Sequence, residues 1–169
     1  EIIDIGCGTG NMLGFLNPKK GIGVDISTKM IAVAKNNFKD RKNLNFKVWD
    51  IENKPLKTNA DYLLFVDVIE HLKQTSKAIK NLSLSMNKNS TLILSMANPL
   101  WEPILMILEK LRLKMPEGPH HRISETELLQ QARASGLKLI SKKAYFPTIT
   151  VELMKNLSLI HVYTFKKSA

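Results

Sequence analysis

The chain opens on Glu1 to Met12, "EIIDIGCGTGNM", an apolar run that stops on three glycines spaced two apart, Gly6, Gly8 and Gly10. A strand that passes through glycine-rich backbone into a helix brings main-chain N–H groups and a helix N-terminus to the carboxyl edge of a parallel sheet, where open α/β proteins bind ligands. Without Cβ atoms the loop also lets a ligand lie against the chain. A bare GxGxG serves equally as a tight turn, so the residues that follow it decide between the two.

Downstream, short apolar strands near 1–5, 21–25, 44–48, 61–66 and 90–97 alternate with helical stretches, the pattern of a mainly parallel sheet covered on both faces. Ser27 caps the helix after the second strand, with Met30, Ala34 and Phe38 at steps of four on one face. A helix over about Thr75–Ser85 has Ala78, Ile79 and Leu82 as its buried stripe. Over 124–135, Ser124 and Glu127 form a capping box, Ile123 staples onto Leu128, and Gly136 suits the left-handed C′ position. Two β-rich runs, "LKLISKKAYF" and "LIHVYTF", then predict an antiparallel ribbon at the sheet edge, joined through a turn containing Pro147. In "MNKNS", ahead of the fifth strand, Asn87 or Asn89 is expected to take a left-handed turn conformation.

The sequence reads as a single domain over 1–169, with 99–123 as an inserted lid or acceptor segment. Pro103 opens a helix there that is apolar on nearly every side through Leu113, and "KMPEGPHHR" must then be a loop. That apolar stretch fits a lid or acceptor wall, a dimer face, a membrane-surface helix or ordinary core packing. Its excess apolar girth favours a greasy or aromatic acceptor, and contact with a membrane surface stays open. Because the first residues already read as a buried strand, an N-terminal covering segment is expected to be missing from this sequence.

At 169 residues one domain fits, burying about 68–70% of its unfolded surface, and a second does not. Apolar residues at 44% and charged residues at 24% exclude wholesale disorder. Lysine and arginine outnumber the acids 25 to 15, for a net +10, which favours an acidic partner such as nucleic acid or an anionic membrane. The lysines are scattered in short groups such as Lys19-Lys20, Lys142-Lys143 and Lys166-Lys167, so a solvated basic surface is the better reading. A single cysteine excludes an internal disulfide, and no CxxC or Cys/His cluster offers a metal site, which makes a reducing cytoplasm the default location. The longest apolar stretch, around Leu100–Met115, is too short and too charged to span a bilayer. Oligomeric state is not readable.

Acids mark the ends of the next strands. Asp25 in "GIGVDIS" lies nineteen residues beyond Gly6, where a carboxylate can accept from both hydroxyls of a ribose, and Asp50 follows the third strand in "FKVWDIE". No GxxxxGK[ST] is present, and no glycine follows Gly10 until Gly14, so neither a Walker loop nor the dinucleotide fingerprint fits. A ribose-bearing ligand with little negative charge fits better than a phosphate.

The string Asp4-Ile-Gly6-Cys-Gly8-Thr-Gly10 resembles the [DE]xGxGxG motif of class I S-adenosylmethionine-dependent methyltransferases, and "GVDIS", "VWDIE", "DYLLFVDVIEHL" and "STLILSMANP" stand in that family's order. The resemblance implies a Rossmann-like α/β fold with a seven-stranded sheet ordered 3-2-1-4-5-7-6, strand 7 antiparallel, with helices on both faces. It implies S-adenosylmethionine as cofactor, yielding S-adenosylhomocysteine. Gly6, Gly8 and Gly10, with Cys7 in the same loop, would bed the methionyl part, and Asp4 would lie near its ammonium. Asp25 would take the ribose, with Ile26 beside the adenine. Asp50 would accept from the adenine amino group, Ile51 would add a backbone N–H, and Asp67 would sit close to the sulfonium.

Structural roles compete at each position. Asp4 and Asp67 could satisfy loop amides, Asp25 could cap the next helix, and Cys7 reads better as a small apolar filler than as a nucleophile. If the acceptor is a hydroxyl that sheds a proton, His71, His120 and His121 are the candidate bases. The "GPHHR" segment resembles the "GxH" stretch of small-molecule O-methyltransferases of the quinone-biosynthesis type, whereas His71 could simply pack and the His pair could order its loop. The expected acceptor is a small molecule methylated on oxygen or nitrogen. The [DN]PP[YF] motif of base-amine methyltransferases is absent after the fourth strand, which argues against nucleic acid. A methyltransferase-like domain that binds without turnover is the non-enzymatic alternative.

Overall fold

The computed structural model describes residues 1–98, 123–145 and 160–168. Five short strands form within a residue of their expected places: β1 (Ile2–Ile5), β2 (Gly21–Asp25), β3 (Leu44–Val48), β4 (Tyr62–Phe65) and β5 (Thr91–Ala97). With β6 (Leu137–Tyr145) and β7 (Ile160–Lys167) they make one seven-stranded sheet ordered β3-β2-β1-β4-β5-β7-β6. β7 runs antiparallel to both neighbours, setting His161 opposite Met96 on β5 and Ala144 on β6. The edge ribbon and the antiparallel seventh strand are therefore both as expected. The chain winds outward from β1 through β2 to β3, then restarts on the other side of β1 with β4, which opens a switch point above the carboxyl end of β1.

Strand alternation divides the core between the two faces. Ile3, Ile5, Val24, Leu63, Phe65, Leu92 and Leu94 pack with Ala78, Ile79 and Leu82 of α3 (Thr75–Ser85) and Leu128 and Ala132 of α4 (Glu125–Ala134). Leu13 of α1 (Asn11–Leu16) and Ile31 and Ala34 of α2 (Thr28–Asn37) form a second cluster with Cys7 and Phe46. Gly23 makes that cluster close-packed, since a Cβ there would meet Phe46 at 2.5 Å and the Cys7 sulfur at 2.8 Å.

The helices show what local signals fix and what they leave to packing. Ser27 caps α2 as expected, its hydroxyl accepting from the Met30 N–H at 3.3 Å. The buried residues are Ile31 and Ala34, with Phe38 packed against them, and Met30 is 46% exposed. The buried stripe thus starts one residue later, about 100° around the helix from Met30. On α4, Ser124 accepts from the Glu127 N–H at 3.1 Å, while the Glu127 carboxylate accepts from Gln131, so the capping box forms its Ser half. Ile123 and Leu128 are buried in one cluster, and Gly136 is left-handed. Neither Asn87 nor Asn89 has a positive φ. Asn87 Oδ1 instead accepts from the N–H groups of Asn89 and Ser90 at 2.8 and 3.0 Å, closing the turn through a side chain.

The Pro103–Leu113 helix, the loop after it, nearly all of the 99–123 segment and the turn between β6 and β7 lie outside the described residues. Among the described residues, no helix is long and apolar enough to cross a membrane.

Candidate cofactor site

Gly6, Gly8 and Gly10 all have positive φ, at 80°, 51° and 83°. This turns the chain out of β1 and spends its amides inward. Gly6 and Cys7 both donate to Val24 O, at 2.7 and 3.0 Å, Gly10 donates to Cys7 O at 2.9 Å, and Gly8 donates to Asp25 Oδ2 at 2.9 Å. These four amides are thus committed to the protein itself, and the glycines leave a floor without side chains. Two of its glycines face different surroundings. A Cβ on Gly6 would strike Val68 Cγ2 at 2.3 Å, whereas one on Gly8 would meet nothing within 4 Å.

Asp25, closing β2, accepts from Ser27 N–H on Oδ1 at 2.8 Å and from Gly8 N–H on Oδ2. It therefore braces the loop and starts the next turn, and each oxygen retains a lone pair, an arrangement suited to the two donors of a vicinal diol. Asp4 lies within β1, only 4% exposed, and accepts no hydrogen bond from a described residue. Burial, and then the charge of Asp25, push its carboxyl up to about 7. The amide-satisfying alternative for Asp4 is not what the structure shows; its carboxyl is an enclosed group beside the loop.

Cys7 is buried in the second cluster, and burial, followed by the charges of Asp4 and Asp25, pushes its thiol up to about 12. A thiol so held is a packing group at neutral pH.

The Trp49 backbone N–H donates to Asp25 O at 2.9 Å, carrying the edge on to Asp50. The Asp50 carboxylate accepts from Glu52 N–H at 2.8 Å and from Asn53 Nδ2 at 2.6 Å. Ile51 buries its side chain in the core, while Ile26 is 66% exposed at the rim. After β4, Asp67 has φ 54°, and Val68 presses onto Gly6. His71 is exposed at the end of the short 3-10 helix Ile69–His71. The fold thus gathers the glycine loop, Asp4, Asp25 and the Asp67–Val68 turn at the switch point, with Asp50 on a flanking loop and His71 closing the short helix after β4. His120 and His121 lie outside the described residues.

A family model described as a methyltransferase domain matches residues 1–142. The chain belongs to the class I methyltransferase family. This methyltransferase domain is 29% identical over 149 residues to a malonyl-[acyl-carrier protein] O-methyltransferase of Marinomonas sp. (strain MWYL1), covering 84% of this chain and 54% of that protein. It is 27% identical over 149 residues to a ubiquinone biosynthesis O-methyltransferase of Pelagibacter ubique (strain HTCC1062), covering 82% of this chain and 62% of the other. The domain thus spans little more than half the length of these curated relatives. Among solved structures, the magnesium protoporphyrin IX methyltransferase of Synechocystis PCC 6803, with SAH bound, superposes with a TM-score of 0.73 at 20% identity, over 99% of this chain and 74% of that one. That likeness is one of fold.

Residues to which the sequence reading gave no role also reach the methyltransferase edge. Ser95 of β5 is 3% exposed and bonds Asp67, and Asn98, just beyond that strand, is 4% exposed. His161, 8% exposed on β7, lies 3.4 Å through Nδ1 from the Tyr163 hydroxyl. The alternation of His161, Tyr163 and Phe165 in "IHVYTF" was the available signal for an inward histidine.

Proposed function

We propose that this domain binds S-adenosylmethionine across the carboxyl ends of β1, β2 and β4 and transfers its methyl group to an oxygen of a small, lipophilic acceptor. The observation that carries the cofactor reading is the tie between Gly8 N–H and Asp25 at 2.9 Å, which holds a Cβ-free floor against a carboxylate with lone pairs to spare. The open space at Gly8 and the enclosed Asp4 carboxyl both suit an uncharged sugar joined to a cationic amino acid.

When bound, the cofactor supplies an electrophilic methyl on a sulfonium. The chain's part is to hold and orient. Asp25 takes the ribose hydroxyls, Asp50 and the Ile51 N–H address the adenine edge, Ile26 covers its ring, Asp4 pairs with the ammonium, and Asp67 flanks the sulfonium. Alignment of this kind supplies up to about 7–11 kcal/mol to a displacement, so a base is needed only if the acceptor is a hydroxyl that must lose its proton. His71, His120 and His121 are the bases proposed for that case. Oxygen as the methylated atom is supported by the names of the two curated relatives, and the greasy character of 100–113 supports a lipophilic acceptor. A cytoplasmic location accompanies this reading.

Calorimetric titration with S-adenosylhomocysteine tests it. The parent chain is expected to bind, and Asp25→Ala to weaken binding by about tenfold or more, since hydrogen bonds to a charged group are worth about 1.5–3 kcal/mol each. Equal affinity in the two proteins would refute the assignment of Asp25.

A further inference from the structure

We infer that Ser95 is a positioning residue that fixes the Asp67 carboxylate at the cofactor edge; the inference rests on the cofactor reading proposed above. Among the described residues, only Asp67 and Asn17 are non-glycines with positive φ. Asn17 closes helix α1, where such a conformation is routine. Asp67 has no helix to close. It follows β4, and its strained backbone requires something to hold it.

Ser95 does so as both donor and acceptor. Its hydroxyl accepts from Asp67 N–H at 2.9 Å and donates its one proton to Asp67 Oδ1 at 2.6 Å. The first bond fixes the backbone turn and the second fixes the side chain, so Asp67 is clamped at two points although it is exposed. Ser95 itself is 3% exposed, on the face of β5 opposite Leu92, Leu94 and Met96. A buried hydroxyl at such a site is unfavourable unless bonded, and alanine would fill the strand if packing were the only requirement.

The clamp has two consequences for the ligand edge. Donation from Ser95 fixes Asp67 Oδ1 in place and leaves Oδ2 with no partner among the described residues. It also sets the next residue, Val68, against Gly6, joining the β4 turn to the floor of the site. A carboxylate held beside the sulfonium favours S-adenosylmethionine over S-adenosylhomocysteine, which lacks the positive sulfur.

The test measures the ratio of those two affinities by calorimetry, with melting temperature followed in parallel. Ser95→Ala is expected to lower the preference for the sulfonium several-fold, Asp67→Asn to lower it by a similar factor, and the double variant to lower it no further. Ser95→Thr, which keeps the hydroxyl, should retain the preference. If Ser95→Ala does not fold, Ser95→Cys, near in size and a weak donor, should show the same loss. An unchanged ratio in Ser95→Ala or Ser95→Cys, or an equal weakening of both ligands, would overturn the inference, as would an unchanged ratio in Asp67→Asn. A parent chain that binds neither ligand would instead overturn the cofactor reading, and this assignment with it.

Discussion

Asp4 combines two facts that rarely coexist in a resting protein: a carboxyl group enclosed in the central strand and no hydrogen bond from a described donor. Its neighbours from the packed elements are Gly23 and Leu64 across the strands, Cys7 in the loop, and Asp25 closing β2, none of them a cation. With its carboxyl raised to about 7, chiefly by burial, the folded chain binds this proton more tightly than the unfolded chain does. Asp4 therefore favours folding most below the ordinary carboxylate range, and its contribution declines as pH rises from about 4 towards 7. A cationic ligand reverses the preference, because an ammonium beside Asp4 stabilises the ionised form. Binding of S-adenosylhomocysteine should thus release a proton below pH 7 and be about tenfold weaker at pH 6 than at pH 8. Calorimetry in buffers of different ionisation enthalpy reads that proton directly, and Asp4→Asn should abolish it. A binding enthalpy independent of buffer at pH 6 would mean that Asp4 does not face the ammonium. The sequence displayed Asp4 at its place in the motif; its protonation depends on burial and on Asp25, which only the fold brings together.

At the scale of elements, the loop after β1 separates folding from binding within five residues. Gly6 is required by the protein itself, since its Cβ would enter Val68 and its φ is 80°. Gly8 faces open space, so a methyl there meets only backbone strain of about 1–2 kcal/mol. Gly6→Ala should accordingly lower the melting temperature more than Gly8→Ala does, while Gly8→Ala should retain the fold and lose affinity for S-adenosylhomocysteine. Thermal melts and calorimetry on the two variants check both halves, and a Gly8→Ala protein that binds as tightly as its parent would remove the ligand from this floor. Such a division was only partly legible. Strand ends, the α4 cap and Gly136 were readable because each depends on residues adjacent in sequence. The buried face of α2 was not, because Ile31 in place of Met30 is chosen by Phe46 of β3 and Cys7 of the loop after β1, both distant in sequence. Nor was the Asn87 turn, where side-chain bonds replace a left-handed residue, or the register shift between Leu139 and Ser141. Ser95 escaped notice for a related reason: it is an ordinary serine in an apolar strand until the fold sets it against Asp67.

For the whole molecule, one sheet carries both the core and the candidate site, so ligand binding and global stability are linked. The main cluster runs from Ile3 in β1 to Phe165 in β7, and loops from β1, β2 and β4 meet at the central strand's end. A ligand that binds this arrangement and not the unfolded chain stabilises it by about 2.7 kcal/mol at a hundred times its Kd. For a chain of this length each kcal/mol raises the melting temperature by about 2–4 °C, which makes the expected shift with S-adenosylhomocysteine roughly 5–10 °C. The net charge of +10 introduces a second source of stabilisation, because polyanions bind a basic surface without any specific site. Salt separates the two. Polyanion binding falls steeply with ionic strength through counterion release, whereas contacts at a partly buried carboxylate are screened much less. In 0.5 M salt, on the order of a 4 Å Debye length, the shift given by S-adenosylhomocysteine should persist and that given by RNA should collapse. Asp25→Ala should lose the first and not diminish the second at low salt, since it removes no cation from the surface. A shift with RNA that survives high salt would instead reveal a specific polyanion site and reopen nucleic acid as the acceptor.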